Sequence, residues 1–341
     1  MEFRRVGRSG LKVSELCLGT MTFGVSVDEA EAKRIVDLAC DTGINFFDTA
    51  DVYAGGQSEL LLGRALKGRR REAVVATKFF NPMGSGPNDS GWSRVHVMNA
   101  IEDSLRRLQM DYVDIYYVHH VDVQTPLEEV VRALDDLVHQ GKVRYAACSN
   151  FQAWRLCDAL WTSEHNGLAR FECYQPQYSL VVRDIEQELV PLCLDKGLGI
   201  VPWGPLAGGF LTGKYRPGQR TVAGTRSEQH WGWMPHFFAP NADQTLATLV
   251  DVARELGRSP AQVGLRWVLE RPAVCAAISG VRTAEQLQDN LGATGWRLEG
   301  ELLDRLNAAS ALPDRYPESF EKAMPERRAK AVQIPFQPPQ V

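Results

Sequence analysis

Residues 113–150 read VDIYYVHHVDVQTPLEEVVRALDDLVHQGKVRYAACSN. The stretch opens on six residues, 113–118, that are mostly β-branched or aromatic, as suits a strand covered on both faces. Thr125 and Pro126 with Glu128 then spell a helix start: an N-cap, a proline in the first turn and a capping-box acid. Leu127, Val130, Val131, Leu134, Leu137 and Val138 recur at helical spacing, and Gly141 ends the run. A second apolar run, 143–148, stops at Ser149-Asn150. Strand, helix and strand in this order predict a right-handed crossover in a parallel sheet.

The unit repeats along the chain. Short apolar runs at 15–18, 45–47, 73–77, 171–174, 199–201 and 274–278 join the two above to give eight expected strands. Val97, Ile101, Leu105 and Leu108 keep helical spacing before the run at 113–118. Many strand ends fall about 26–30 residues apart, the size of one βα unit. Eight such units predict an α/β fold, a closed (β/α)8 TIM barrel, with residues 1–341 as a single domain. Residues 3–6 and 11–14, joined by 7–10, are expected as an N-terminal β-hairpin plugging the barrel's bottom. Two longer connections, through 81–91 and 215–242, are expected as long loops at the C-terminal face. The proline-rich tail, 312–341, is expected as an extended wrap or lid.

Composition excludes several classes. The 341 residues carry 38 Lys+Arg and 42 Asp+Glu, a formal net charge of −4. That near-balance argues against a surface built to neutralise phosphate backbones, so no nucleic-acid partner is expected. With 44% hydrophobic and 23% charged residues, the chain can bury a large core. No run approaches the ~18 apolar residues of a membrane span. The start, MEFRRVGRSG, lacks the apolar centre of a secretory signal. Seven scattered cysteines without a CxxC pair are expected as reduced, mostly buried thiols of a cytoplasmic protein. No pattern specifies an oligomeric state.

Barrels of this kind do their chemistry at the C-terminal ends of the strands. There the sequence sets Asp48, Tyr53 five residues on, Lys78, His119, Ser149, Asn150 and Gln175. Asp48 alone would serve equally as a turn cap, but several titratable groups aimed at one mouth suggest catalysis. A phenol titrates near ~10. A neighbouring ammonium is expected to lower that value, and a carboxylate to hold the ammonium in place. Tyr53, Lys78 and Asp48 thus read as a proton-donating relay, with His119 orienting a carbonyl oxygen. No activated Ser or Cys nucleophile is evident. The set suits protonation of an oxygen while hydride from a nicotinamide attacks the carbon.

Three other readings are weaker. His119, His120 and Asp122 suggest a metal, but adjacent strand residues point to opposite faces and chelate poorly, so no metal is expected. Residues 208–215, GGFLTGKY, nearly match a P-loop, but Tyr215 replaces the hydroxyl that would hold magnesium. No GxGxxG occurs, which argues against the usual dinucleotide fold. Trp231, Trp233, Phe237 and Phe238 read either as local packing of their loop or as a substrate lid, with Arg216-Pro217-Gly218 as a turn upstream.

Residues 48–53 (DTADVY), 76–78 (ATK) and 117–119 (YVH) resemble the Asp/Tyr/Lys/His tetrad of the aldo-keto reductases. The resemblance runs on through GTM at 19–21, SNF at 149–151, QPQYS at 175–179, PLAGG at 205–209, TGKY at 212–215 and GVRT at 280–283, with Gln286 and Asn290 after it. It implies an enzyme that reduces an aldehyde or ketone, reversibly, with NADP(H). Tyr53 would be the acid, tuned by Lys78 and Asp48, with His119 orienting the carbonyl.

The resemblance also implies the cofactor site. Thr20, Met21 and Asp48 belong to it. Ser149, Asn150 and Gln175 match the positions that hold the nicotinamide amide, and Tyr178 the ring it stacks on. Trp203, Gly204, Pro205, Leu206, Ala207, Gly208 and Lys214 match the pyrophosphate loop. Gly280, Arg282, Gln286, Asp289 and Asn290 match the adenosine end, and Arg282 favours NADP over NAD. Two residues depart from the pattern: Gly204 where many relatives have Ser, and His120 where Arg or Trp is frequent. The small-molecule substrate is expected to depend on Trp92, residues 215–242 and the tail. The same family includes ion-channel β subunits, the rival reading, but those have Asn where this chain has His119. A metal-dependent barrel hydrolase is the third reading.

Overall fold

The computed structural model describes residues 1–222, 228, 240–322 and 324–327. Residues Met1–Ser310 form one unit and Ala311–Val341 another. In the second unit the described residues include a short helix, Glu318–Glu321. The four aromatic residues 231, 233, 237 and 238, and residues 328–341 of the tail, lie outside the described residues.

The first unit opens on an antiparallel hairpin, β1 (Phe3–Arg5) and β2 (Lys12–Ser14), as expected. Eight strands follow: β3 (Leu16–Gly19), β4 (Phe46–Asp48), β5 (Val74–Phe79), β6 (Val113–Val118), β7 (Val143–Ser149), β8 (Phe171–Gln175), β9 (Gly199–Ile200) and β10 (Ala277–Gly280). From β3 to β9 each pairs in parallel with the next, and β10 pairs in parallel with β3. Ile200 N–H donates to the Ala273 carbonyl (2.8 Å), and Cys275 N–H donates to the Ile200 carbonyl (2.9 Å), closing the ring beside β9. The fold is the (β/α)8 barrel the sequence predicted.

Strand alternation sorts the core into two clusters. Leu16, Leu18, Phe47, Val75, Tyr116 and Val118 face outward and pack beneath the helices. Cys17, Phe46, Ala76, Ile115, Tyr117, Ala147 and Cys173 face inward and pack against each other. Val6 and Val13 of the hairpin join this inner cluster, so the hairpin does fill one end of the barrel. Arg8 N–H anchors it to the Gly197 carbonyl at 2.8 Å, just before β9. Two residues beyond Phe46, Ala76, Ala147 and Cys173, on the same inward face, come Asp48, Lys78, Ser149 and Gln175. A strand's period of two therefore carries these polar groups onto the inward face, towards the C-terminal ends of the strands and beyond the apolar filling.

The helices include α1 (Glu29–Asp41), α2 (Gln57–Ala65), α3 (Arg94–Leu108) and α4 (Leu127–His139). Val130, Val131, Leu134 and Leu137 of α4 are buried, each worth about 1.5–3 kcal/mol. The start of α4 differs from the sequence reading. Thr125 does not cap it: its hydroxyl and N–H both donate to Asp122, and the helix begins without a side-chain cap. Asp122 lies closer in the loop and, as a carboxylate, accepts four such bonds; the others come from the N–H groups of Trp92 and Gln124. Five of the seven cysteines are buried, Cys157 is exposed, and all are free. Among the described residues no helix is long and apolar enough to cross a membrane.

Candidate active site

A cavity of about 730 Å³ opens where the strands end. Among its lining residues are Thr20, Met21, Asp48, Tyr53, His119, Ser149, Asn150, Gln175, Trp203, Gly204, Pro205, Leu206, Gly208 and Lys214. Gly280, Arg282, Gln286, Asp289 and Asn290 line it as well. Residues at or just beyond every strand end thus meet in one space; Asn81 follows β5, which also supplies Lys78 just behind the cavity.

Lys78 is fully buried, and its ammonium has three donors. One goes to Asp48 Oδ1 (2.5 Å), one to the Thr49 carbonyl (2.7 Å) and one to the Tyr53 hydroxyl oxygen (3.4 Å). Asp48 Oδ2 accepts from Gln175 Nε2 at 2.8 Å. The ammonium occupies a lone pair of the phenol, which leaves the phenol's own hydrogen for another acceptor.

The chain after β4 stays beside β5 long enough to set this contact. Thr49 N–H bonds to the Ala76 carbonyl, and Asp51 N–H to the Lys78 carbonyl (3.1 Å). A turn then folds Tyr53 back over Lys78, whose nitrogen lies 4.9 Å from the ring centroid.

The sequence reading expected Lys78 to lower the phenol's pKa. The structure corrects this: Tyr53 is raised, because burial outweighs the pull of Lys78 and Asp48 opposes it. Asp48 holds the ammonium 2.5 Å away, so Tyr53 faces an ion pair rather than a lone cation. Burial pulls Lys78 down, but Asp48 and Tyr53 together carry it above its ordinary value. The resting site holds a neutral phenol beside a charged lysine.

His119 meets the ring of Tyr53 edge-on, centroids 5.9 Å apart. Burial, then the Lys78 charge and His120, holds its pKa well below the ordinary value, so the imidazole is neutral. Asn81 Nδ2 lies 3.4 Å from its Nδ1. With the amide donating, Nδ1 accepts and the ring proton sits on Nε2. His119 then offers a neutral donor.

The ring of His120 stacks on that of His119 at 4.4 Å, 17° from parallel. Strand alternation was expected to separate them, but both lie beyond the end of β6, where it no longer applies. Among the described residues no three His, Cys, Asp or Glu side chains group as metal ligands.

Ser149, Asn150, Gln175 and Trp203 brace one another. Ser149 Oγ donates to the Gln175 carbonyl (2.7 Å), Asn150 Nδ2 to the His119 carbonyl (3.0 Å), and Trp203 Nε1 to Asn150 Oδ1 (3.0 Å). Each amide keeps a further N–H or lone pair. At the far end, Thr283 caps the helix Ala284–Leu291, and Gln286 Oε1 accepts from the Arg282 N–H (2.9 Å). Asp289 is held by Ser259 and Gln262. Asn290 donates to Ser279 Oγ (2.9 Å).

Three expectations need correcting. Tyr178 does not line the cavity: it is buried, its hydroxyl donates to Glu186 (2.6 Å), and its ring meets Trp267 edge-on. The aromatic ring that the cavity does have beside Asn150 is that of Trp203. Ala207 is also buried away from the cavity. Trp92, expected to shape the substrate pocket, is fully buried; it stacks on Phe151 and donates to the His120 carbonyl (2.8 Å). It supports the pocket from behind. The sequence reading missed Asn81, which lay inside a Gly/Pro/Asn-rich stretch that marked only a loop. It also missed Thr22 and Glu285, which line the cavity without any motif signal, whereas Thr212 of the TGKY motif and Ser279 at the end of β10 line it as well.

Asp51 lies next to this site, fully buried. Burial first, then the Glu59 carboxylate, pushes its carboxyl up to about 7 from 3.8. For an acid raised on folding, the unfolded chain ionises first as pH rises. Stability therefore falls by up to about 1.4 kcal/mol per pH unit between those values, and the loss is complete above 7. Asp51→Asn removes this slope. The variant should gain about 2 kcal/mol on the wild type between pH 5 and pH 8, measured by urea unfolding. A difference that does not change with pH would contradict the assignment.

The fold and this cavity define a barrel oxidoreductase class, and comparison with known proteins gives the family. Residues 15–311 match the model of the Aldo/keto reductase family. The chain belongs to this family of oxidoreductases. It is 42% identical over 318 residues to the uncharacterized oxidoreductase YrpG of Bacillus subtilis, covering 90% of this chain and 95% of that protein. It is 35% identical over 328 residues to a probable voltage-gated potassium channel subunit beta of Arabidopsis thaliana, covering 94% of this chain and 100% of that protein. A putative subunit of the same kind in Schizosaccharomyces pombe is 35% identical over 316 residues, covering 89% and 92%.

Proposed function

We propose that this chain reduces an aldehyde or ketone to the alcohol with NADPH, and runs in reverse when oxidised cofactor prevails. The observation that carries the reading is the buried Lys78 ammonium, shared between Asp48 and the Tyr53 phenol at the cavity wall, with the neutral His119 ring beside it. A dinucleotide fits the donor set: side-chain amides at one end, Lys214 and Arg282 at the other, and one continuous cavity between them. When bound, the nicotinamide supplies the hydride.

The chain's own residues do the rest. Tyr53 gives its free proton to the carbonyl oxygen as that oxygen gains charge. Lys78 steadies the phenolate left behind, and Asp48 keeps the lysine charged in a buried place. His119 Nε2–H donates to the same oxygen and orients the carbonyl. Asn150 and Gln175 retain bonding capacity for an amide, and Trp203 offers a flat apolar face.

NADPH consumption with a panel of carbonyl compounds tests the reading; no turnover on any of them would refute it. The choice of NADP rests on Arg282, a cation one residue before the Thr283 cap of a helix N-terminus. Arg282→Ala should weaken NADPH binding by about 10–100-fold and leave NADH binding nearly unchanged. Equal weakening of both would remove the assignment.

A second reading is a cofactor-binding regulatory subunit, favoured by the two channel-subunit relatives. It predicts tight NADPH binding, no carbonyl turnover and co-purification with a membrane channel. His119 favours the enzyme, because an imidazole offers the donor that the reduction uses.

A further inference from the structure

Tyr53 leads into a turn with an unusual backbone. Ala54 (φ 51, ψ 35), Gly55 (φ 62, ψ 34) and Gly56 (φ 92, ψ −7) are left-handed in succession. A non-glycine residue such as Ala54 holds that region only when its surroundings impose it.

The surroundings here are specific. Arg107 of α3 lies flat on Gly56: a Cβ added there would sit 2.7 Å from its Cδ and 3.0 Å from its Nε. Arg107 Nε donates to Glu59 Oε2 at 2.6 Å. Glu59 is fully buried in the first turn of α2, and its other oxygen accepts from Thr77 Oγ1 at 2.5 Å. Thr77 immediately precedes Lys78. α2 comes close enough because Gly63 lacks a side chain; a Cβ there would lie 2.1 Å from the Leu108 carbonyl oxygen. Arg107 packed on Gly56, with its bond to Glu59 and the bond from Thr77 to Glu59, therefore joins the turn behind Tyr53 to the strand that carries Lys78. Neither Glu59, Thr77 nor Arg107 lines the cavity.

We infer that Glu59, with Arg107 as its counter-charge, is a positioning residue that fixes the Tyr53 hydroxyl against the Lys78 ammonium. The inference rests on the reductase reading for its kinetic consequence, but the geometry it describes exists without turnover. Ion pairs that are buried hold shape when both partners are present and leave a costly unpaired charge when one is lost. Displacing a reacting group by about an ångström costs on the order of 100-fold in rate. A second buried carboxyl, that of Asp51, lies near enough to feel Glu59, so the single Arg107 guanidinium serves a place with two acids.

The test uses the full chain with Glu59→Gln, which keeps an acceptor for Thr77 but removes the charge, and with the conservative Arg107→Lys. In Glu59→Gln, kcat should fall about 10–100-fold while KM for the carbonyl and the Kd of NADPH stay within about twofold. Arg107→Lys should fall between that variant and the wild type.

A second readout needs no activity. Carbon-13-labelled tyrosine gives each phenol a resonance, and Tyr53→Phe identifies that of Tyr53. Titrated without cofactor, the Tyr53 phenol should move down towards its ordinary value by about one pH unit in Glu59→Gln. The groups that bear on it are Lys78, Asp48 and Asp51, with the neutral His119 at its edge, and water entering as the turn loosens relieves the burial that raises it. Other tyrosines should not move.

A folded Glu59→Gln with wild-type kcat and an unmoved Tyr53 resonance would overturn the inference. So would a kcat that falls only in proportion to the unfolded fraction. If Glu59→Gln does not fold, Arg107→Lys decides by the same readouts. Failure of both variants to fold would also overturn it, because the pair would then be holding the fold itself. If the wild type reduces no carbonyl, the resonance alone decides, which separates this inference from the reductase reading.

Discussion

Tyr53→Phe should lower kcat for carbonyl reduction by about 10²–10⁴-fold, while NADPH binds as it does to the wild type. The substitution removes one oxygen and leaves the ring, its contact with His119 and the cavity wall in place. What is lost is the hydroxyl that Lys78 touches, with its proton still free to give. The pH profile of the wild type carries the same claim. Reduction needs the phenol protonated, and burial raises its pKa above the ordinary 10. His119 is held neutral well below 6.5. The reduction rate at saturating substrates should therefore stay flat from about pH 7 to pH 9. A descending limb centred near pH 7, or a Phe variant with full turnover, would assign the proton to another group.

Lys78→Met should have the largest effect on stability. It removes the cation from a pair in which both side chains are buried, and leaves Asp48, among the described residues, with only the Gln175 amide. Breaking such a pair costs about 3–5 kcal/mol, read as a lowered urea midpoint, together with loss of turnover. Adding Asp48→Asn should restore part of the stability and none of the activity, since the second change removes the unpaired charge without returning the lysine. A Lys78→Met chain with the wild-type midpoint would mean that the pair is not held as tightly as its 2.5 Å contact implies.

The channel-subunit relatives make the reductase experiment informative in either direction. The same barrel and the same cavity serve both readings, so fold cannot choose between them. The discriminating feature is chemical: a neutral imidazole donor at residue 119 beside the phenol of residue 53.

Much of this was legible in the sequence, and the reason is period. A buried strand alternates its faces, so the last polar residue after an apolar run is marked by position alone. Asp48, Lys78, Ser149 and Gln175 were found that way, and alternation from Phe46, Ala76, Ala147 and Cys173 puts all four on the barrel's inward face. Chemistry then grouped them with Tyr53 and His119, because a phenol, an amine and an acid near one another have few other uses.

Other features were hidden because they depend on directions that no local pattern encodes. Tyr178 sits in a motif shared with the family, yet its hydroxyl bonds Glu186 and its ring turns from the cavity. Thr125 looked like a cap, but Asp122 took its hydroxyl. Asn81 lay among turn-forming residues with nothing to mark it.

The sequence by itself determined the eight-fold strand and helix alternation, the hairpin and the polar groups at the strand ends. These follow from side-chain periodicity and from bonds between near neighbours, which a linear pattern records. Tertiary structure alone decided which aromatic ring meets the cavity, that the Tyr53 phenol is raised rather than lowered, and that Glu59 and Arg107 link two distant elements behind it. Each of those depends on burial and on charges that are far apart along the chain, and neither quantity exists until the barrel closes.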